Sequence, residues 1–479
     1  MSITYDTERR SLWISVSPWL TVVMLGATAI LSVVLRGAQY HALAFSCVLV
    51  AAAAGTACIV RRALLEQGAR PGVLERTTAG ASRLLAQLSP VILLSITYPL
   101  AATKLGGVHV AGLAFPKLLL ATSLTAPWLS QIVCMPLFTA LSPHAAAGRK
   151  AHMHARVLEA WPLIFAASLP VVIILAIPVW LRERWSLSAM LVYATLCLLN
   201  AVFAQSLVYS ILKRNGKLWA MGWLAYAATL FTVPRLWYLP PLAGILLETS
   251  YLGWHTRLLA LRPIRPERIA VDLGKGMLLG CVLWSDKYLY FLRFPGNFDP
   301  ALLFGAMLPA IVAYNYYFAL LAPRTDGLVD SMRKAMARAP LFRLREECET
   351  LSGHIRASAF QAGFICALLS FAGILGLRLA GSSMTSAAGA EMLACWCFVM
   401  GTLACYKLAY LGQARLSYGY GALHLLLATA VFAISPTGPD VYLTLAGVEF
   451  LLVALILRTC LRGWQRPEFM LFWRLALQW

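Results

Sequence analysis

Apolar residues in this chain of 479 residues come in long runs separated by short polar connections. A run of about 20 residues matches a hydrocarbon core of roughly 30 Å. The pattern predicts fourteen membrane helices, at 13–35, 40–60, 84–104, 108–140, 158–181, 187–212, 217–234, 237–257, 273–292, 301–323, 357–377, 388–410, 417–434 and 440–458. Prolines are frequent inside them, among them Pro116, Pro127, Pro136, Pro162, Pro170, Pro178 and Pro309. Each removes one helical hydrogen bond, which a membrane helix tolerates when neighbours or water satisfy the freed carbonyl.

The polar connections alternate in charge. Most of the 40 Lys and Arg fall in every second connection or at the termini, 18 of them in 61–83, 142–156, 258–272 and 324–356. Cytoplasmic loops collect basic residues, so these loops and both termini are expected on the cytoplasmic side of a bacterial-type inner membrane. The other connections are short, such as Gly106–Gly107, Arg182–Glu183–Arg184 and Pro295–Gly296–Asn297. They leave no room for an extracytoplasmic domain. Composition agrees: 60 % apolar, 13 % charged, mean hydropathy +0.73. The net charge of +20 therefore reports topology and not a nucleic-acid partner. The first apolar run lacks a clear cleavage site and is expected to be a retained helix. The eleven cysteines lie in apolar segments or cytoplasmic loops, where small buried hydrophobes are expected rather than disulfides.

The segments repeat. The unit 84–272 runs helix, short outer turn, helix, basic loop and four closely joined helices, and 273–459 runs the same way. The long basic loops of the two units lie about one unit apart, as parallel repeats require. The expected fold is an all-α polytopic membrane protein of two six-helix lobes, preceded by a helix pair in 1–83 and followed by a basic, aromatic tail at 460–479. This layout resembles the multidrug/oligosaccharidyl-lipid/polysaccharide (MOP) exporter superfamily, which includes the MATE transporters. The resemblance is carried by Gly112–Leu113–Ala114–Phe115–Pro116–Lys117, by the Pro136…Pro143 helix ending, and by the basic turn Lys213–Arg214–Asn215–Gly216–Lys217. In the second lobe, Trp284–Ser285–Asp286–Lys287–Tyr288 and Tyr406–Lys407–Leu408 are similar to the Pel exopolysaccharide transporter family (PelG). The resemblance implies a transporter that exports or flips a polysaccharide or lipid-linked oligosaccharide by rocking its lobes around a central cavity.

An ionisable side chain deep in a membrane is costly, so each is a candidate for cargo or ion binding. Asp286 and Lys287 sit among aromatics in the outer half of the ninth segment. Adjacent helix positions point about 100° apart, so the two need not pair. Either they face a cavity, or Asp286 makes an interhelical salt bridge while Lys287 snorkels to the interface. Glu248 lies mid-segment and needs a cavity or a partner. Lys117 either meets an anionic cargo or neutralises a carboxylate such as Asp286 or Glu248. Tyr314 and Asn315 belong to an aromatic patch with Tyr316 and Tyr317 suited to stacking on sugars. Glu449, Lys407 and His424 are weaker cargo or coupling candidates that read first as structural: a lobe-edge acid, a snorkelling lysine, and a packing histidine rather than a proton relay.

The stretch 324–356 has seven basic and five acidic residues, with Leu328, Met332, Met336, Leu341 and Leu344 at helical spacing. It is expected to be an amphipathic helix on the inner membrane face, or a dock for a cytoplasmic glycosyltransferase or synthase. No phosphate-binding loop, HExxH or nucleophile elbow is present, so no cofactor, metal or enzymatic activity is expected. Two other readings stay open. One is an ion-coupled efflux pump for small amphipathic cations, with Asp286 and Glu248 as coupling carboxylates, favoured if the net charge of the cavity is negative. The other is a membrane scaffold subunit of a polysaccharide synthase complex.

Overall fold

A computed structural model describes residues 105–146, 150–213, 215–250, 265–294, 300–338, 340–379, 385–436 and 438–470, with 84, 86–94 and 97 ahead of them. The expected helices at 13–35 and 40–60 and the end of the tail lie outside the described residues. Residues 86–94 are helical, and after them comes a minimal hairpin, β1 His109–Val110 and β2 Leu113–Ala114. Its two-residue turn needs positive φ at both positions, and Ala111 (51°) and Gly112 (82°) supply it. Helices follow: α1 Phe115–Ala146, α2 Lys150–Glu183, α3 Leu187–Leu212, α4 Gly216–Thr232 and α5 Leu239–Ser250. Then come α6 Pro266–Arg293, α7 Pro300–Tyr316, α8 Ala322–Arg338, α9 Leu341–Leu379, α10 Thr385–Tyr410, α11 Ala414–Ile434 and α12 Gly438–Gly463.

Among the described residues, eight helical stretches are long and apolar enough to cross a membrane. They are α1, α2, α3, α7 running through a π turn into α8, and α9 to α12. Helix α6 has 28 residues, a length of about 40 Å, and carries Asp272, Lys275, Asp286 and Lys287 along it. Large apolar side chains such as Ile173, Ile174 and Leu181 on α2 and Phe450, Leu451 and Leu455 on α12 point outward, as a lipid-facing surface requires. The protein is an all-α, multi-pass membrane protein.

The helices form two groups. Helices α1 to α5 pack on one another, and α6 to α12 do the same, with α10 central and flanked by α7, α9, α11 and α12. The groups meet chiefly where α6 lies against α1. Glycines make that approach possible, as small residues do between membrane helices. A Cβ at Gly276 would lie 2.5 Å from the Gln131 carbonyl oxygen, and one at Gly280 would lie 2.7 Å from the Gln131 Cβ. On the opposite face of α6, Gly421 of α11 presses on the Leu278 backbone. Three bonds stitch the seam: Trp128 Nε1 donates to Met277 O (3.1 Å), Tyr288 Oη to Leu175 O (2.6 Å) and Arg182 Nε to Leu292 O (2.7 Å).

The basic stretch 324–356 differs from expectation. It is not one surface helix but the continuation of two membrane helices. The π turn Tyr317–Leu321 carries α7 into α8, and α9 starts at Leu341, well before its apolar portion. Val329, Met332, Leu351 and Ile355 are buried because α8 and α9 pack on each other, and Ser331 donates to Glu347 across them (3.2 Å). Of the apolar stripe, Met332 is buried and Leu328, Met336 and Leu344 are partly buried against neighbouring protein, while the Leu341 side chain lies outside the described residues.

Candidate functional site

Helix α6 brings Ser285, Asp286 and Lys287 into the middle of the second group, all 2 % exposed or less. Asp286 and Lys287 pair, which their 100° offset does not require. The Lys287 ammonium donates to Asp286 Oδ2 at 2.6 Å and to Cys395 Sγ at 3.1 Å, and sits 3.4 Å from Glu391 Oε1. A lysine stem is long enough to fold back over its neighbour, and the partners Glu391 and Cys395 hold it there from one face of α10. Lys287 therefore does not snorkel. The rings of Tyr442 and Phe398 lie 5.8 and 5.9 Å from its nitrogen, close enough for the ring faces to attract it. Two carboxylates share one ammonium, and Asp286 Oδ1 and Glu391 Oε1 have no hydrogen bond among the described residues.

Asp286, Glu391 and Cys395 place their donor atoms within 4.8 Å of one another, the spacing of a metal site. The Lys287 ammonium is bonded to Asp286 and Cys395 and paired with Glu391, so a protein cation already serves that donor set. Cys395 thus has carboxylate neighbours, which its sequence surroundings do not show.

A second buried set lies beside the first. His424 of α11 meets Glu449 of α12, Nδ1 to Oε1 at 2.8 Å, and both are fully buried. His424 Nε2 is 3.4 Å from Ser285 Oγ, and Tyr420 Oη donates to Glu449 Oε2 at 3.4 Å. The Phe398 ring stands edge-on to the imidazole, centroids 5.3 Å apart. Two residues that look separately structural in the sequence are one interhelical pair, one residue along from Asp286.

The other candidates disperse. Lys407 is 1 % exposed and does not snorkel. It donates to Ser358 Oγ (2.6 Å) and Ile355 O (3.3 Å) and lies over the Tyr317 ring (4.9 Å). Nearby, Tyr410 donates to Asp326. Lys117 reaches neither Asp286 nor Glu248; its half-exposed ammonium pairs with Glu183 at 2.5 Å. Glu248 is buried in the first group against Gly222, with no hydrogen bond of ordinary geometry to either oxygen among the described residues. Asn315 Nδ2 donates to Ile311 O of its own helix (2.9 Å), and the Tyr314 ring packs on Phe318 (4.6 Å). Tyr314 and Asn315 are half-buried, engaged with their own helix and the adjoining π turn.

Glu391 is the residue that sequence reading missed. It lies about two turns into α10, where an acid reads as an interfacial end group. The available signal was its spacing: Glu391, Cys395 and Phe398 recur at i, i+4 and i+7, one helix face. Glu183 was hidden in an outer turn.

Fold and site together define a multi-pass helical membrane protein with a charged core in its second helical group. No family model matches the chain, and no curated protein does. Among solved structures, three MATE crystal structures align over 82 % of this chain. They are described as complexes with MaL6 (TM-score 0.44, 9 % identity, 96 % of that chain), MaD5 (0.46, 9 %, 95 %) and Br-NRF (0.45, 11 %, 97 %). At these TM-scores the organisation is read from the chain's own helices. The Pel-like resemblance of the second group finds no support in these comparisons.

Proposed function

We propose that this protein is an ion-coupled membrane transporter that moves a small amphipathic cation by rocking its two helical groups. The observation that carries this reading is the sign of the buried charge. Among the described residues, Asp272, Asp286, Glu391, Glu449 and Glu248 are buried, against Lys287 and Lys407 alone of the lysines and arginines. Lys287 is shared by two carboxylates, and Lys117 is committed to Glu183. Neither lysine is left to receive a pyrophosphate or an acidic sugar. Burying acids in apolar surroundings is expensive unless they bind something, and an acidic excess calls for cations. Export of a polysaccharide or lipid-linked oligosaccharide would instead need open aromatic faces and free basic groups along its path. Tyr314 and Asn315 are instead engaged with their own helix and the adjoining π turn. A scaffold role gives the buried acids nothing to do.

The test uses purified protein in liposomes, offered either ethidium or a fluorescent lipid-linked oligosaccharide under proton and sodium gradients. Gradient-driven ethidium movement with no saccharide translocation is expected. Saccharide movement without ethidium transport would overturn the cargo assignment, and no movement of either would overturn transport.

A further inference from the structure

We propose that the coupling ion is a proton, held by the His424–Glu449 pair, and that the neighbouring Asp286–Glu391–Cys395 set is closed to metal cations because Lys287 fills it. The inference rests on the transporter reading and names the ion and its site.

Start with charge. Both members of the pair are fully buried, and a net charge there is costly. With a neutral imidazole donating Nδ1–H to a carboxylate, the pair carries −1. Adding one proton at Nε2, donated toward Ser285 Oγ, makes the pair neutral overall. The closed arrangement therefore holds one proton more than the anionic pair. That proton comes from water on one side and returns to water when the helices part on the other.

The surroundings offer no substitute cation. The titratable groups facing Glu449 are Cys281 from α6, Cys397 from α10 and Tyr420 from α11. Phe398 covers the imidazole from α10, and α12 contributes Glu449 itself. None of these brings a positive charge. The nearby ammonium, Lys287, is engaged by Asp286, Cys395 and Glu391.

The same lysine rules on the alternative ion. A sodium or divalent ion needs several oxygen donors at once, and among the described residues the donor set that comes together in the second group is the one Lys287 occupies. A proton needs one nitrogen. His424 offers that nitrogen where four helices of the group, α6, α10, α11 and α12, meet.

The experiment has two arms on purified full-length protein in liposomes. In the first, infrared difference spectra between acidic and alkaline buffer are recorded for wild type, His424→Gln, Glu449→Gln, the double variant and Asp286→Asn. The protein has seven other histidines, which contribute alike to every sample. The imidazole band change is therefore expected to be larger in wild type and Asp286→Asn than in every variant lacking His424, by the share of one histidine. Unchanged spectra in His424→Gln overturn the proposal. In the second arm, ethidium movement driven by a proton gradient should fall at least about tenfold in His424→Gln and in Glu449→Gln, with no sodium requirement in wild type. A sodium requirement, or full proton-driven movement in His424→Gln, overturns it. The double variant removes both charges and keeps the polar shapes, so it remains measurable if a single variant unfolds. If wild type moves no ethidium, the transporter reading fails, while the infrared arm still decides whether His424 takes up a proton.

Discussion

Lys287 shows how one buried side chain fixes the meaning of its neighbours. Its ammonium answers two acids and a thiol from two helices. Removing it would leave Asp286 and Glu391 facing each other without a cation, and breaking a buried pair costs about 3–5 kcal/mol. Lys287→Met is therefore expected to lower the apparent melting midpoint sharply, and adding Asp286→Asn and Glu391→Gln to restore most of it. A Lys287→Met protein as stable as wild type would show that the cluster is not held by charge. Asp286 and Lys287 stand out in the sequence because charges are rare in apolar runs. Their pairing does not, since it depends on a flexible stem bending toward donors on α10, more than a hundred residues away in the chain. Glu391 was harder to see because an acid so close to a segment boundary usually meets water.

Among the helices, α6 carries the most consequences. Its two faces serve different neighbours: Gly276 and Gly280 admit α1, while the opposite side accepts Gly421 of α11. The Cβ of Gly276 would strike backbone atoms of Gln131 and Ile132, which cannot swing aside. Gly274, two residues earlier, faces open space. Gly276→Leu should thus cost about 1–3 kcal/mol or more through overpacking, and Gly274→Leu should be close to neutral. Thermal unfolding of the two variants checks this, and equal effects would mean that α6 does not lie on α1 as described. Helices α8 and α9 teach the opposite lesson. The 3.6-residue period of 324–356 is legible, yet the same apolar stripe fits a bilayer surface or another helix. Only the neighbouring helix decided between them.

Across the whole molecule, the seam between the groups sets what rocking requires. Trp128–Met277 and Tyr288–Leu175 are single hydrogen bonds made by side chains from opposite groups. Each contributes about 0.5–1.5 kcal/mol. Trp128→Phe combined with Tyr288→Phe should favour the parted arrangement on the order of tenfold. Electron–electron distance measurements between spin labels at Ile174 and Leu426, both outward-facing, should show a second distance population growing in the double variant. A distribution identical to wild type would argue that the seam does not open.

Hydrophobic run length and the alternation of basic loops by themselves determined that this is a multi-pass helical membrane protein. The reason is physical: a bilayer admits only apolar segments of set length and sorts Lys and Arg by side. The same scarcity of charge pointed to Asp286 and Lys287 as residues that need explanation. Tertiary structure alone decided who partners whom. Glu391 joins Lys287, His424 joins Glu449, Lys117 is spent on Glu183, and 324–356 folds on itself. Such pairings depend on helix rotation and on side-chain reach between segments far apart in the chain. Periodicity within one segment cannot encode them.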